Sequence, residues 1–385
     1  MYARQLELAE ITQRKSVLLL GPRQTGKSTL LRSAFPGAPT YNLLDSITYR
    51  SLSADPALIR KELAALPKRP PIVVIDEVQR LPELLNEAHL LIEETGQRFV
   101  LTGSSARALR RRGVNLLGGR ARTLHLNPLV SHEIGPDFDL VRAVNHGLLP
   151  AIYDSDVPDA DLADYAGVYL REEVAAEGLS RNVSGFARFL EVAALCSGTM
   201  LNATKIATDA QVKRTTVLDW FDVLRDTLLA HDLPAWTKTK DRRAIKTSKL
   251  YLFDLGVTRH LAAGPRLEPR TPAFGAAFEH FLFHELRSAC DYGRHSSLSY
   301  WRSTSGFEVD FVLDERVAIG AKASKVIGPT ECRGLRALRS ERLLERFIVV
   351  SLVEQRRIDD GIEIWPWREF LSAMWAGELA NRPGG

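Results

Sequence analysis

Ser16-Val17-Leu18-Leu19-Leu20 runs without a break into Gly21-Pro22-Arg23-Gln24-Thr25-Gly26-Lys27-Ser28, and the residues that follow, Thr29-Leu30-Leu31-Arg32-Ser33-Ala34-Phe35, read as a helix. An apolar strand, a loop with two spaced glycines closing on Lys-Ser, and a helix make up the G-x4-G-K-[ST] phosphate-binding loop in the context it requires. Gly21 and Gly26 let the backbone wrap close to phosphate oxygens. The amides at the helix start point toward negative charge, and the helix dipole adds to their field. Gly21, Pro22, Arg23, Gln24, Thr25, Gly26, Lys27, Ser28 and Thr29 are therefore the expected cradle for the phosphates of ATP or ADP. Lys27 is expected to reach the β- and γ-phosphates, and Ser28 to put its hydroxyl on Mg²⁺.

About 45 residues further on, a second apolar strand, Ile72-Val73-Val74-Ile75, ends in Asp76-Glu77. Asp76 is placed to hold the Mg²⁺ shell beside the loop, and Glu77 to orient and polarise the attacking water. Phosphoryl transfer leaves a protein mostly this work of positioning and electrostatics. Tyr41-Asn42-Leu43-Leu44 supplies a further strand between the two. Arg98-Phe99-Val100-Leu101-Thr102-Gly103-Ser104-Ser105 supplies another, whose Thr102, Ser104 or Ser105 is a candidate sensor of the γ-phosphate. Short apolar runs alternating with helix-like segments from 16 to about 130 predict an α/β domain on a parallel sheet.

The remaining chain is read from its length and composition. At 385 residues, 45% hydrophobic and 25% charged, the sequence is that of an ordinary folded protein of two or three domains. No apolar run reaches the 18 residues of a membrane helix, and the N-terminus lacks the apolar core of a signal peptide. Three well-separated cysteines, Cys196, Cys290 and Cys332, suit a reducing cytoplasm. A net charge of +4 carries no global nucleic-acid signature, so any basic surface must come from local clustering. The expected division is 1–150 for the phosphate-loop domain, 151–265 for a mainly helical connector and winged helix, and 270–385 for a C-terminal α/β domain.

In the middle segment, Leu201–Ala207, Asp209–Val212 and Lys213–Trp220 have the spacing of a helix-turn-helix, the second helix starting with the cations Lys213 and Arg214. Trp236–Lys249 then reads as a basic hairpin in which Lys238, Lys240, Arg242, Arg243, Lys246 and Lys249 face one acid, Asp241. Lys213, Arg214, Arg242, Arg243 and Lys246 are the candidate contacts to duplex DNA, with an affinity that falls steeply with salt. A winged helix that binds a partner protein is the alternative use.

At GPRQTGKST, VVIDEVQRLPELL, LTGSSA, LGGR and LNPLVSHE the first 150 residues resemble an AAA-type P-loop ATPase. They are similar to a bacterial and archaeal family in which such a domain precedes a C-terminal domain of unknown function with a nuclease-like fold. The resemblance covers nearly the whole chain. It implies that Arg120, the arginine of the Gly-Arg pair, contacts the γ-phosphate in cis or from a neighbouring subunit. Arg107, Arg110, Arg111, Arg112 and Arg122 surround it without an acid.

In the last segment, Glu279 on a long helix, Asp310 on a strand and Lys322 at the end of the next strand resemble the PD-(D/E)XK nuclease core. There the acids hold Mg²⁺ and the lysine aids the attacking water. Gly320 stands where that pattern has a glutamate, which removes a metal ligand; Glu308 shares a strand face with Asp310 and is a substitute candidate. His280 and His284 lie four apart on the helix as satisfied helix residues or metal ligands. Arg333, Arg336, Arg339 and Arg342 read as a solvated face, with nucleic-acid contact as the alternative. The expected function is an ATPase coupling nucleotide state to DNA or a protein partner, with an oligomer open and no membrane. Alternatives are a nucleotide-gated regulator with little hydrolysis and, disfavoured by Gly320, an ATP-dependent nuclease.

Overall fold

Five short strands, β1 (Ser16–Leu20), β2 (Thr40–Asn42), β3 (Ile72–Asp76), β4 (Arg98–Gly103) and β5 (Ala121–His125), pair in parallel in the order β2-β3-β4-β1-β5. They are seen in a computed structural model that describes residues 2–105, 117–169 and 182–380. Every residue of β1 is buried, as a continuous apolar run must be when helices cover both faces of a parallel sheet. Leu18, Leu20, Ile75, Phe99 and Leu101 form the core on one face with Leu52, Ile59, Leu84, Leu85 and Ala88 from the crossover helices. Because β1, β3 and β4 are parallel neighbours, their C-terminal ends lie at one edge. This brings the loop after Leu20, the pair Asp76-Glu77 and the stretch Thr102–Ser105 together, at the end of the sheet where such folds bind ligands.

The chain divides into two compact units, one of residues 3–128 with 223–229 and one of 129–222 and 230–385 with the first two residues. Residues 129–150, expected in the first domain, thus group with the second unit. Along the chain the middle part runs helix Val183–Leu195, β6 (Thr199–Met200), helix Ala203–Asp209, helix Arg214–Asp226, whose last four residues count in the first unit, β7 (Ala230–Leu233) and β8 (Lys249–Leu252). The three strands form an antiparallel sheet in the order β6-β8-β7. The helices meet through aromatic edges: Phe186 on Trp220 with ring centroids 5.3 Å apart, and Phe189 on Phe221 at 4.8 Å. Such pairs add about 1 kcal/mol each beyond the area they bury.

The last part is a six-stranded mixed sheet of β9 (Leu298–Arg302), β10 (Glu308–Leu313), β11 (Val317–Lys322), β12 (Arg346–Ser351), β13 (Arg357–Asp359) and β14 (Ile362–Pro366), ordered β13-β14-β12-β11-β10-β9. Helix Pro272–Asp291 and helix Trp367–Trp375 share one core with the sheet through Phe278, Phe281, Leu282, Phe370, Met374, Phe311, Ile319 and Ile348. Helix Arg333–Arg339 shares the other, through Leu335, Leu338, Val312, Ala318 and Val349. A bulge between Val309 and Val312 interrupts the pairing of β10 with β9 beside Asp310; an extra residue there re-aims side chains locally. Among the described residues no helix is long and apolar enough to cross a membrane.

Candidate functional site

The phosphate loop depends on glycine at two points. A Cβ at Gly21 would lie 2.4 Å from the carbonyl oxygen of Leu126 at the end of β5, and Gly26 has φ +92°. Helix Lys27–Ala34 begins directly after Gly26. Lys27 is buried, and its ammonium donates to the carbonyl oxygens of Gly21 (2.7 Å) and Pro22 (2.9 Å). Thr25 Oγ1 also donates to Pro22 O, at 2.8 Å. Arg23, Gln24 and Ser28 are exposed.

The end of β3 meets this loop through a chain of hydroxyls. Ser28 Oγ donates to Asp76 Oδ2 at 2.9 Å, Thr102 Oγ1 donates to Asp76 Oδ1, and Thr102 Oγ1 accepts the amide of Glu77 at 3.1 Å. Glu77 sits in the left-handed region, φ +61°, a conformation that costs a non-glycine residue about 1 kcal/mol and ends the strand there. Gln79 donates its side-chain amide to Glu77 Oε2 and to Ser104 Oγ, the latter at 3.2 Å. A cleft of about 230 Å³ opens beside Ser28 and Asp76, lined also by Arg32, Phe35, Thr40 and Asn42. Oxygen donors from a hydroxyl and a carboxylate are the hard ligands Mg²⁺ takes, so Ser28 and Asp76 fit that ion.

A second cluster lies in the C-terminal unit. Lys249 on β8 has its Nζ 2.9 Å from Glu279 Oε1 and 2.7 Å from Glu308 Oε1, and Tyr251 donates to Glu279 Oε1 at 2.7 Å. Asp310 Oδ2 accepts from Lys322 Nζ at 3.1 Å and from the Ala321 amide at 2.7 Å. Burial and the neighbouring Asp310 push the Glu279 carboxyl up against the pull of Lys249. Against burial, the carboxylates of Glu279, Asp310 and Glu308 hold the Lys249 ammonium well above its ordinary range. Glu279, Asp310 and Lys322 are thus brought to one place, joined by Glu308 and by Lys249. Among the described residues no His, Cys, Asp and Glu form a group able to hold a metal ion.

Residues 13–135 match the family described as AAA domain. Residues 137–267 and 274–370 match two families described as domains of unknown function, DUF8612 and DUF4143. Two curated relatives, uncharacterized proteins of Mycobacterium bovis and Mycobacterium tuberculosis, are each 27% identical over 373 residues, 94% of this chain and 82% of theirs. Among solved structures, a Walker-type ATPase of Pyrococcus abyssi is similar at 15% identity over 68% of this chain and 96% of that one, with a TM-score of 0.44.

Other expected residues are placed differently. Arg120 precedes β5, and since Ser16 pairs with Ala121 it lies at the end of the sheet opposite the phosphate loop of the AAA-type domain, where its guanidinium pairs with Glu93. It does not reach the loop within one chain. Arg107, Arg110, Arg111 and Arg112 lie outside the described residues. The basic segment 236–249 is not a free wing. Trp236 is buried, and the backbone bonds along β9, Trp236 N to Tyr300 O at 2.6 Å and Ile245 N to Arg302 O at 2.8 Å. The Glu341 carboxylate accepts the amides of Lys240, Asp241 and Arg242 at 3.0 Å each and pairs with the Arg242 guanidinium at 3.3 Å. Lys238 pairs with Glu315, and Lys249 is buried. Lys213, Arg214, Lys240, Arg243 and Lys246 remain exposed.

His280 Nε2 bonds the carbonyl of Leu252 (2.7 Å) and His284 Nε2 that of Leu129 (2.9 Å). Arg336 and Arg339 pair with Asp359 and Asp360. Two residues escaped the sequence reading. Gln79 stood inside the segment quoted for Asp76 and Glu77, two positions on. Arg4 donates to Thr25 O at 2.7 Å and to Asn127 O at 2.6 Å, bracing the phosphate loop from the N-terminal segment, and no motif announces it.

Proposed function

We propose that this chain is a Mg²⁺-dependent ATPase whose AAA-type domain couples nucleotide state to duplex DNA. It does so through a winged helix and a nuclease-like domain that does not cut. The observation that carries the reading is the Ser28–Asp76–Thr102 chain of hydrogen bonds at the start of the phosphate-loop helix, with Glu77 joined to it through Thr102. Gly21–Thr29 would wrap the phosphates. Lys27 would leave the carbonyls of Gly21 and Pro22 for the β- and γ-phosphates, and Glu77, held by Gln79, would orient a water in line with the γ-phosphate. Ser28 and Asp76 would hold Mg²⁺, which when bound supplies charge neutralisation to the phosphates. Ser104 is positioned through the same Gln79 amide to report the γ-phosphate.

The winged-helix reading is supported by the order helix, strand, helix, helix, strand, strand and by the β6-β8-β7 sheet. Exposed Lys213 and Arg214 at the start of helix Arg214–Asp226, with Arg243 and Lys246, are the proposed phosphate contacts. ATP turnover with and without duplex DNA, at two salt concentrations, tests the coupling. A turnover lost in Lys27→Ala and raised by DNA is the expected result. Turnover indifferent to DNA at low salt would point to a protein partner.

A further inference from the structure

Glu279, Glu308 and Asp310 arrive from a helix and from a bulged strand at one spot, and the nuclease-like reading expects a divalent cation there. The residues present do not fit such an ion. Lys249, its side chain only 4% exposed, bridges Glu279 Oε1 and Glu308 Oε1, with its ammonium also 5.3 Å from the centre of the Tyr300 ring. Arg302 takes the other oxygen of Glu308 at 3.1 Å, and Lys322 takes Asp310 at 3.1 Å. Three carboxylates are met by three cations. A divalent ion would therefore enter a cluster already neutral, and would have to sit against two ammonium groups.

We infer that the Lys249 ammonium is the built-in replacement for that ion. It is a compact charge with three donors, and from β8 it performs the bridging between helix Pro272–Asp291 and β10 that a metal would otherwise perform. Gly320 works in the same direction. A Cβ there would stand 4.0 Å from Asp310 Oδ2 and 3.5 Å from Leu335 Cδ1, ordinary contacts, so the position faces the cluster and has room at its first atom, yet contributes no carboxylate. The cluster has lost one negative charge and gained an internal cation, and both changes remove its need for metal. This rests on the nuclease-like reading only for the ion expected at the spot; the pairing itself is geometry.

The test uses Mn²⁺ alone and the full chain, in an Asp76→Asn background so that uptake beside the phosphate loop does not count. The parent protein should show no Mn²⁺ uptake that Asp310→Asn removes, by equilibrium dialysis, and the same melting temperature in EDTA as in Mn²⁺. Lys249→Met should melt lower in EDTA and recover at least half of that loss in Mn²⁺, a recovery that adding Glu308→Gln abolishes. Parent-protein uptake that disappears in Asp310→Asn overturns the inference, as does a Lys249→Met protein whose melting is indifferent to Mn²⁺. If Lys249→Met does not fold, the dialysis decides alone: absence of Asp310-dependent uptake upholds metal exclusion, and its presence defeats it. Neither readout involves ATP turnover or DNA, so failure of the proposed function would not be mistaken for failure here.

Discussion

The phosphate loop and the C-terminal carboxylate cluster use the same residue types, lysines and acids, and arrange them oppositely. In the loop, the bonds described for Lys27 go to the carbonyls of Gly21 and Pro22, while Asp76 is approached by the hydroxyls of Ser28 and Thr102. In the cluster, Lys249 and Lys322 sit directly on Glu279, Glu308 and Asp310. A carboxylate held by neutral hydroxyls keeps its charge available to a metal ion. One held by ammonium groups has already spent it. Acids and lysines brought together therefore do not define a metal site; who neutralises whom does.

The sharpest way to break this contrast is at the loop. Lys27→Ala should weaken binding of a fluorescent ATP analogue at least ~100-fold, and Glu77→Gln should keep that binding while turnover falls about 100- to 1000-fold. Native turnover in Glu77→Gln would remove Glu77 from the water-orienting role.

The second prediction concerns helix Pro272–Asp291, which carries one acid of the cluster and, among its buried titratable groups, His280 and Glu285. Burial pushes the His280 ring down from 6.5 to about 4, and burial pushes the Glu285 carboxyl up from 4.5 to about 7 despite its bonds from the Ser131 amide and the Trp375 indole. The signs oppose. For His280 the unfolded chain binds the extra proton between pH 6.5 and 4, so stability is lost as pH falls through that window. For Glu285 the folded chain binds it, so stability is full below 4.5 and lost as pH rises through 7. Each shift corresponds to on the order of 3 kcal/mol. In urea titrations, His280→Gln should gain on the native protein as the pH is lowered from 7 to 4, and Glu285→Gln should lose. Parallel pH profiles for all three proteins would dismiss both assignments.

A smaller effect is expected at Gln79. As a positioning residue it should lower kcat about 10-fold on Gln79→Ala with KM nearly unchanged. A change in KM alone would mean that it acts on binding instead. Smallest is the exposed basic surface. Arg243→Ala with Lys246→Ala should weaken duplex binding several-fold on every sequence and reduce the slope of log affinity against log salt by about 2. Arg242→Ala, which strips Glu341 of its guanidinium, should be read out in the melting temperature instead.

What could be read from the sequence was what is local. A strand, a glycine-spaced loop and a helix are contiguous, and Asp76-Glu77 ends its own strand, so the phosphate site was legible residue by residue. The basic stretch 236–249, read as six cations facing Asp241 alone, has further neutralising acids in Glu279, Glu308, Glu315 and Glu341, which stand 30 to about 100 positions away, and charge counted along the chain cannot see them. Arg4 left no trace because its partners are backbone carbonyls, which every sequence has. Arg120 followed a family pattern whose place in the sheet only the pairing of β1 with β5 reveals.

The path of residues 234–247 along β9 also bears on how the protein behaves when concentrated. An open sheet offers two rows of unpaired amides and carbonyls as templates for another chain. Here β9 is covered by the connecting segment, bonded at Tyr300 and Arg302, and at the far side β13 is three exposed residues long and carries Arg357 and Asp359. Both rims of the six-stranded sheet are thereby closed to strand addition. The same segment that holds Arg243 and Lys246 out to solvent thus occupies the rim at which a further strand would add.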